Sequence, residues 1–131
     1  MVRKLEPVPI KDLKNFNPNK LPRGWRLTYH KRKWWMVPPG YNVYLGWQVK
    51  DRGSKGFDKI MEVEDTLKQI LEDYHRGRKD FGEGWARKML NQRTKRLALI
   101  VKRDRDFEGV RRECLKRINS FRRKFGMKAA F

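Results

Sequence analysis

Apolar and polar residues alternate with a period of two in one part of the chain and three to four in another. From Gly24 the chain reads Gly-Trp-Arg-Leu-Thr-Tyr, which puts Trp25, Leu27 and Tyr29 on one face of a strand. His30 to Lys33 is a polar, basic turn. Trp34-Trp35-Met36-Val37 follows as a second short strand, and Pro38-Pro39-Gly40 breaks it. Alternation resumes over 41–49, with Tyr41, Val43, Leu45, Trp47 and Val49 on one side. Three antiparallel strands in a meander are the simplest arrangement. Asp51 to Gly56 is then a linker rich in glycine and polar residues.

Past residue 56 the period changes. Ile60, Val63, Leu67, Ile70, Leu71 and Tyr74 recur at helical steps, which predicts an amphipathic helix over 57–76. Gly77 is the expected C-cap. Trp85, Ala86, Met89 and Leu90 again have helical spacing, but Leu97 to Val101 is an unbroken apolar run. Periodicity leaves helix and strand open for that run. Helix is preferred, because a lone strand there needs a partner in the first sheet. Phe107, Val110, Cys114, Leu115, Ile118, Phe121 and Phe125 form one stripe, which predicts a helix over 105–125 stopped by Gly126. Residues 1–23 hold four of the six prolines and scattered apolar residues, so they read as an extended arm with one helical turn near Lys11–Asn15. The organisation is therefore an arm (1–23), a β-meander with its linker (24–56) and a helical region (57–131). The fold class is α+β: a small three-stranded antiparallel sheet, then an α-helical C-terminal half.

Charge changes this picture most. The 131 residues carry 34 Lys and Arg against 15 Asp and Glu, a formal charge of +19 that repels itself in the absence of a polyanion. Residues 1–56 hold 13 basic and 3 acidic side chains, 57–80 hold 5 and 7, and 81–131 hold 16 and 5. Two cationic regions thus flank a mildly acidic helix, which points to two separate anion-facing surfaces. Nucleic acid is the commonest polyanion partner, since each neutralised phosphate also releases counterions. DNA and RNA offer the same phosphates. Acidic protein subunits of a larger assembly are the competing partner, as in a structural virion component near a capsid or portal. The five tryptophans supply surface worth burying, so disorder throughout is not expected. No apolar run reaches membrane-spanning length, and Met1 to Leu5 does not open a secretory signal. One cysteine makes no internal disulfide, in keeping with an intracellular protein or a virion assembled inside a cell.

Candidate phosphate contacts follow from the two basic regions. In the first they are Arg23, Arg26, His30, Lys31, Arg32, Lys33 and Trp34, where cations interleave with rings able to stack on bases. In the last helix they are Arg111, Arg112, Lys116, Arg117, Arg122, Arg123 and Lys124. Trp25, Leu27, Leu45 and Trp47 suit a small core better than an interface. The apolar tail from Met127 to Phe131 suggests insertion into a neighbour's groove. Catalysis is poorly supplied. Asp58, Glu62 and Asp65 fall on one helical face, as a metal-dependent nuclease would need, but an acidic first turn matches the helix dipole without any metal. His30, His75 and Cys114 form no close metal-ligand pair. Cys114 lies on an apolar stripe, as a buried inert thiol would. No catalytic set, metal centre, cofactor or small-molecule substrate is expected.

Two resemblances start in the aromatic-basic segment. Tyr29 to Trp35, followed by Leu45-Gly46-Trp47 and a helix, resembles the ethylene-response-factor type of DNA-binding domain, also found in phage homing endonucleases. The resemblance implies a sheet laid in the major groove, with Arg26, His30, Lys31, Arg32 and Trp34 facing DNA and Leu45 and Gly46 ending the third strand. It covers about a third of the chain, and Pro38-Pro39 and residues 48–57 depart from its pattern. Leu21-Pro22-Arg23-Gly24-Trp25, with Trp47 later, is similar to the opening and spacing of the tryptophan-tryptophan peptide-binding module. Gln48-Val49-Lys50 lacks that module's closing proline.

Overall fold

The computed structural model describes residues 6–38 and 57–130. Three strands, β1 (Val8–Pro9), β2 (Arg26–His30) and β3 (Lys33–Val37), precede three helices, α1 (Phe57–Asp80), α2 (Glu83–Arg103) and α3 (Arg111–Lys124). The sheet is antiparallel in the order β1-β3-β2, and the helices occupy the C-terminal half, so the α+β class holds. The third described strand comes from the proline-rich arm. The strand expected over Tyr41–Val49, and the linker after it, lie outside the described residues. Val8 pairs with Met36 and Pro9 with Trp35, and the Ile10 N–H donates to the Trp34 carbonyl at 2.9 Å. Pro9 has no N–H to give, which suits an edge strand and helps keep β1 to two residues.

Two expected helix boundaries move, each for an identifiable reason. Helix α1 continues through Gly77 to Asp80, so Gly77 is not the cap. Its missing side chain serves packing instead: a Cβ there would sit 2.3 Å from the Trp85 ring. The turn falls at Gly82, whose φ is +102°, and the Gly77 carbonyl accepts from Phe81 and Gly82 N–H at 2.8 and 2.9 Å. The helix expected over 105–125 is divided. Arg105–Phe107 is a 3-10 turn, Gly109 has φ +86°, and α3 starts only at Arg111. The Asp104 carboxylate caps the 3-10 turn by accepting from the Asp106 N–H at 2.9 Å. The run Leu97 to Val101 is helical, as preferred: Ala98 and Val101 are buried while Ile100 faces out.

The helices share two apolar clusters. One joins Val63 and Leu67 of α1, Ala98 and Val101 of α2, Phe107, and Cys114 and Ile118 of α3. The other joins Ile70, Tyr74, Ala86, Met89 and Leu90, and Phe121 packs against both. The sheet adds an aromatic cluster in which the Trp34, Phe81 and Trp85 rings lie 4.9–5.6 Å apart. The Trp34 indole N–H reaches the Asp80 carboxylate at 2.8 Å.

A polar joint fixes the sheet on the helices. The two-residue turn makes His30 and Lys33 the closing hydrogen-bonded pair, so Tyr29 points its backbone N–H and C=O away from β3. Asp73, fully buried on α1, accepts the Tyr29 N–H and the Thr28 hydroxyl, both at 2.8 Å. Gln69, one turn earlier, donates to the Tyr29 carbonyl at 2.8 Å and to Asp73 at 2.9 Å. Arg93 of α2 forms an ion pair with the same carboxylate. One carboxylate therefore ties β2, α1 and α2 together.

Gly77 gives a test in which two effects oppose. Helix propensity alone favours Gly77→Ala by about 1 kcal/mol. Overpacking against a ring wedged between Trp34 and Phe81 costs about 1–3 kcal/mol and more where the neighbour is rigid. The expected result is a net loss of about 1–2 kcal/mol and a lower urea midpoint. A raised midpoint would mean that Trp85 is not seated on Gly77.

Candidate nucleic-acid interface

The hairpin tip presents its cations at a conformational cost. Lys31 and Arg32 have φ of +50° and +63°, the left-handed pair that a two-residue turn of this twist requires and that Asn-Gly fills most easily. Both side chains are exposed. Lys33 Nζ lies 5.3 Å from the centre of the Trp35 ring, and the Trp35 indole N–H is fixed by the His30 carbonyl at 2.9 Å. His30 is half-buried, and its pKa is lowered by burial first and by Lys31 second, with Asp73 opposing. Arg23 is exposed one residue before Gly24.

Trp34 does not join this surface. It is 3% exposed, packed on Phe81 and Trp85, because its side of β3 faces the helices. The same correction applies to Arg122, which is 2% exposed. Its guanidinium donates to the Lys128 carbonyl at 2.8 Å, the Thr94 hydroxyl at 2.7 Å and the Asn91 carbonyl at 3.2 Å. Burial pulls its pKa down. Arg122 thereby holds the C-terminal tail, and the Ala130 N–H donates to the Asn119 side chain at 2.8 Å. Met127 and Ala130 pack on the chain's own clusters, and Phe131 lies outside the described residues.

Helix α3 keeps only part of its expected surface. Arg111 donates to the Val101 and Asp104 carbonyls at 3.0 Å, closing the end of α2. Arg117 pairs with Glu64 at 2.7 Å and with Glu113 at 3.0 Å, and the Glu64 hydrogen bond first, then Glu113, raises its pKa. Arg112, Lys116, Arg123 and Lys124 remain exposed. A shallow groove of about 310 Å³ between α1 and α3 is mixed in sign: Lys68, Lys116, Arg117 and Lys124 face Glu64 and Glu113.

A second groove is larger, about 620 Å³, and differs in sign. One wall is the segment from Pro18 to Leu27, including Trp25 and Arg26. The other is α2, through Trp85, Lys88, Gln92, Arg93 and Arg96. Among the described residues no carboxylate lines it. Arg93 is turned inward to Asp73, and among the described residues Lys88 and Arg96 have no carboxylate partner. Helix α2 supplies this field because it carries seven basic residues and a single acidic one, Glu83. Lys88, Arg96 and Trp85 were not among the sequence-based candidates, and Trp25, expected in the core, is half-buried at the groove wall. Positions 85, 88, 92 and 96 lie on one helical face, a spacing that the apolar pattern of α2 concealed.

The carboxylates of α1 are largely engaged in structure. Glu62 accepts from Lys59 at 3.0 Å, and the Asp58 side chain lies outside the described residues. Among the described residues no three His, Cys, Asp or Glu side chains converge on a metal position, and no helix is long and apolar enough to cross a membrane. Cys114 is buried, and its pKa is pushed up to about 11, first by that burial. Compared with family models, curated proteins and solved structures, the chain matches none.

The hairpin tip allows a trade-off to be measured. Left-handed backbone costs a residue with a side chain about 1–2 kcal/mol. Lys31→Asn with Arg32→Gly is expected to raise unfolding stability by about 1–2 kcal/mol while removing two exposed cations. A thermal midpoint unchanged or lowered would show that the tip carries no such strain.

Proposed function

We propose that this chain is a non-enzymatic nucleic-acid-binding protein that contacts phosphates through separate cationic surfaces. The observation that carries the reading is the groove between residues 18–27 and α2, lined by Arg26, Lys88, Arg93 and Arg96 and, among the described residues, by no carboxylate. Several cations elsewhere in the fold are matched. Arg117 has Glu64 and Glu113, Arg78 has Glu83, and Lys59 has Glu62. Lys88 and Arg96, which have no carboxylate partner among the described residues, face one concavity and leave a field for a polyanion to fill. The hairpin tip at Lys31–Arg32 and the outer face of α3 at Arg112, Lys116 and Arg123 add backbone contacts that position without reading sequence.

Such a protein acts as part of a nucleoprotein assembly, where its charge is neutralised. Docking on acidic protein subunits, as in a virion, uses the same cations and is separated by whether an acidic polypeptide competes as well as an oligonucleotide. A gel shift with duplex or single-stranded oligonucleotide is expected to lose about 10³-fold in affinity between roughly 50 and 200 mM salt, the slope for about six phosphates. Charge reversal at Lys88 and Arg96 together should flatten that slope. Affinity that barely changes with salt would contradict the reading.

A further inference from the structure

We infer that the groove between residues 18–27 and α2 takes single-stranded nucleic acid, with a base stacked on Trp25 and the backbone following Lys88 and Arg96. The inference rests on the phosphate-binding reading and narrows it to one form of nucleic acid at one site.

Shape, rings and charge support it independently. The site is a concavity of about 620 Å³, whereas a protruding hairpin tip or a helix face would suit the phosphates of a duplex exterior. Two indoles, Trp25 and Trp85, line the same concavity as the cations. Base faces are covered by their neighbours in a duplex, so indoles in a groove find flat partners only where bases are unpaired. Trp85 is held edge-on by Trp34 and Phe81 at 5.6 and 4.9 Å, which makes it a fixed wall. Trp25 is half-buried, lies outside β2 and is the ring placed to stack. Lys88 and Arg96 are eight residues apart, about 12 Å along the helix axis. That is the length of about three to four stacked nucleotides at roughly 3.4 Å each. An acidic peptide would satisfy the cations and leave the indoles without a stacking partner.

The test uses the full chain and fluorescence anisotropy with a labelled twelve-residue oligo-dT, a twelve-base-pair duplex and polyglutamate as competitor. At constant moderate salt, oligo-dT should bind about 10-fold or more tighter than the duplex. Trp25→Ala should weaken oligo-dT by about 10-fold, the effect of one lost base stack, and leave the duplex nearly unchanged. Trp25→Phe should retain most of the affinity. Lys88→Glu with Arg96→Glu, at exposed positions, should weaken oligo-dT further still, and circular dichroism checks that each variant is folded. If Trp25→Ala does not fold, the phenylalanine variant and the charge reversals decide. Equal binding of strand and duplex, insensitive to Trp25 and to the charge reversals, overturns the groove assignment and leaves the polyanion reading standing. Polyglutamate competing as well as oligo-dT overturns it in favour of an acidic protein partner. Failure of both oligonucleotides to bind removes the broader reading as well.

Discussion

The buried carboxylate of Asp73 is the constraint around which the other elements are placed. An ionised group inside a protein is tolerated only where charge and hydrogen bonds replace the lost water. Asp73 receives a backbone N–H and a hydroxyl from β2, an amide from its own helix and a guanidinium from α2. Each donor is therefore held in place by the penalty of leaving the carboxylate short. The strand edge also benefits, because the outward backbone groups of Tyr29 are satisfied by Asp73 and Gln69. An open edge of that kind invites pairing with another chain.

This joint also sets the candidate interface. It fixes β2, and with it Trp25 and Arg26 just outside and at the start of the strand, at a definite position relative to α2. It draws Arg93 inward and leaves Lys88 and Arg96, about two turns apart on the same helix, at the groove. The acidic residues of α1 are spent on internal contacts in several cases: Asp73 with Arg93, Asp80 with Trp34, Glu64 with Arg117. These carboxylates are thus turned to internal partners, and the net charge of +19 reappears as local fields.

The elements were legible where local pattern and tertiary packing agree. Helical spacing found α1, the buried faces of α2 and the stripe from Cys114 to Phe121. Glycines misled, because the same residue serves as a stop signal or as room for a ring. Gly77 is the latter, and only the position of Trp85, eight residues on, distinguishes them. Gly109 did break the last stripe, although apolar spacing runs through it unchanged. Charged side chains were legible as a class but not by role. Arg122 looks like its neighbours in sequence yet caps the tail from inside, and Trp34 belongs to an aromatic cluster whose other members lie about fifty residues away. Such roles depend on contacts distant in sequence, which periodicity does not encode.

The central claim is that Asp73 locks the sheet edge to the helices. Native-state hydrogen exchange of the Tyr29 amide tests it most directly. An amide on the outer edge of a short hairpin exchanges through local opening unless something holds it. Held by Asp73, it is predicted to exchange only with global unfolding, at the rate of the buried amides of α1 and α2. Exchange of the Tyr29 amide at the rate of a fraying strand end, with the helices still protected, would contradict the account.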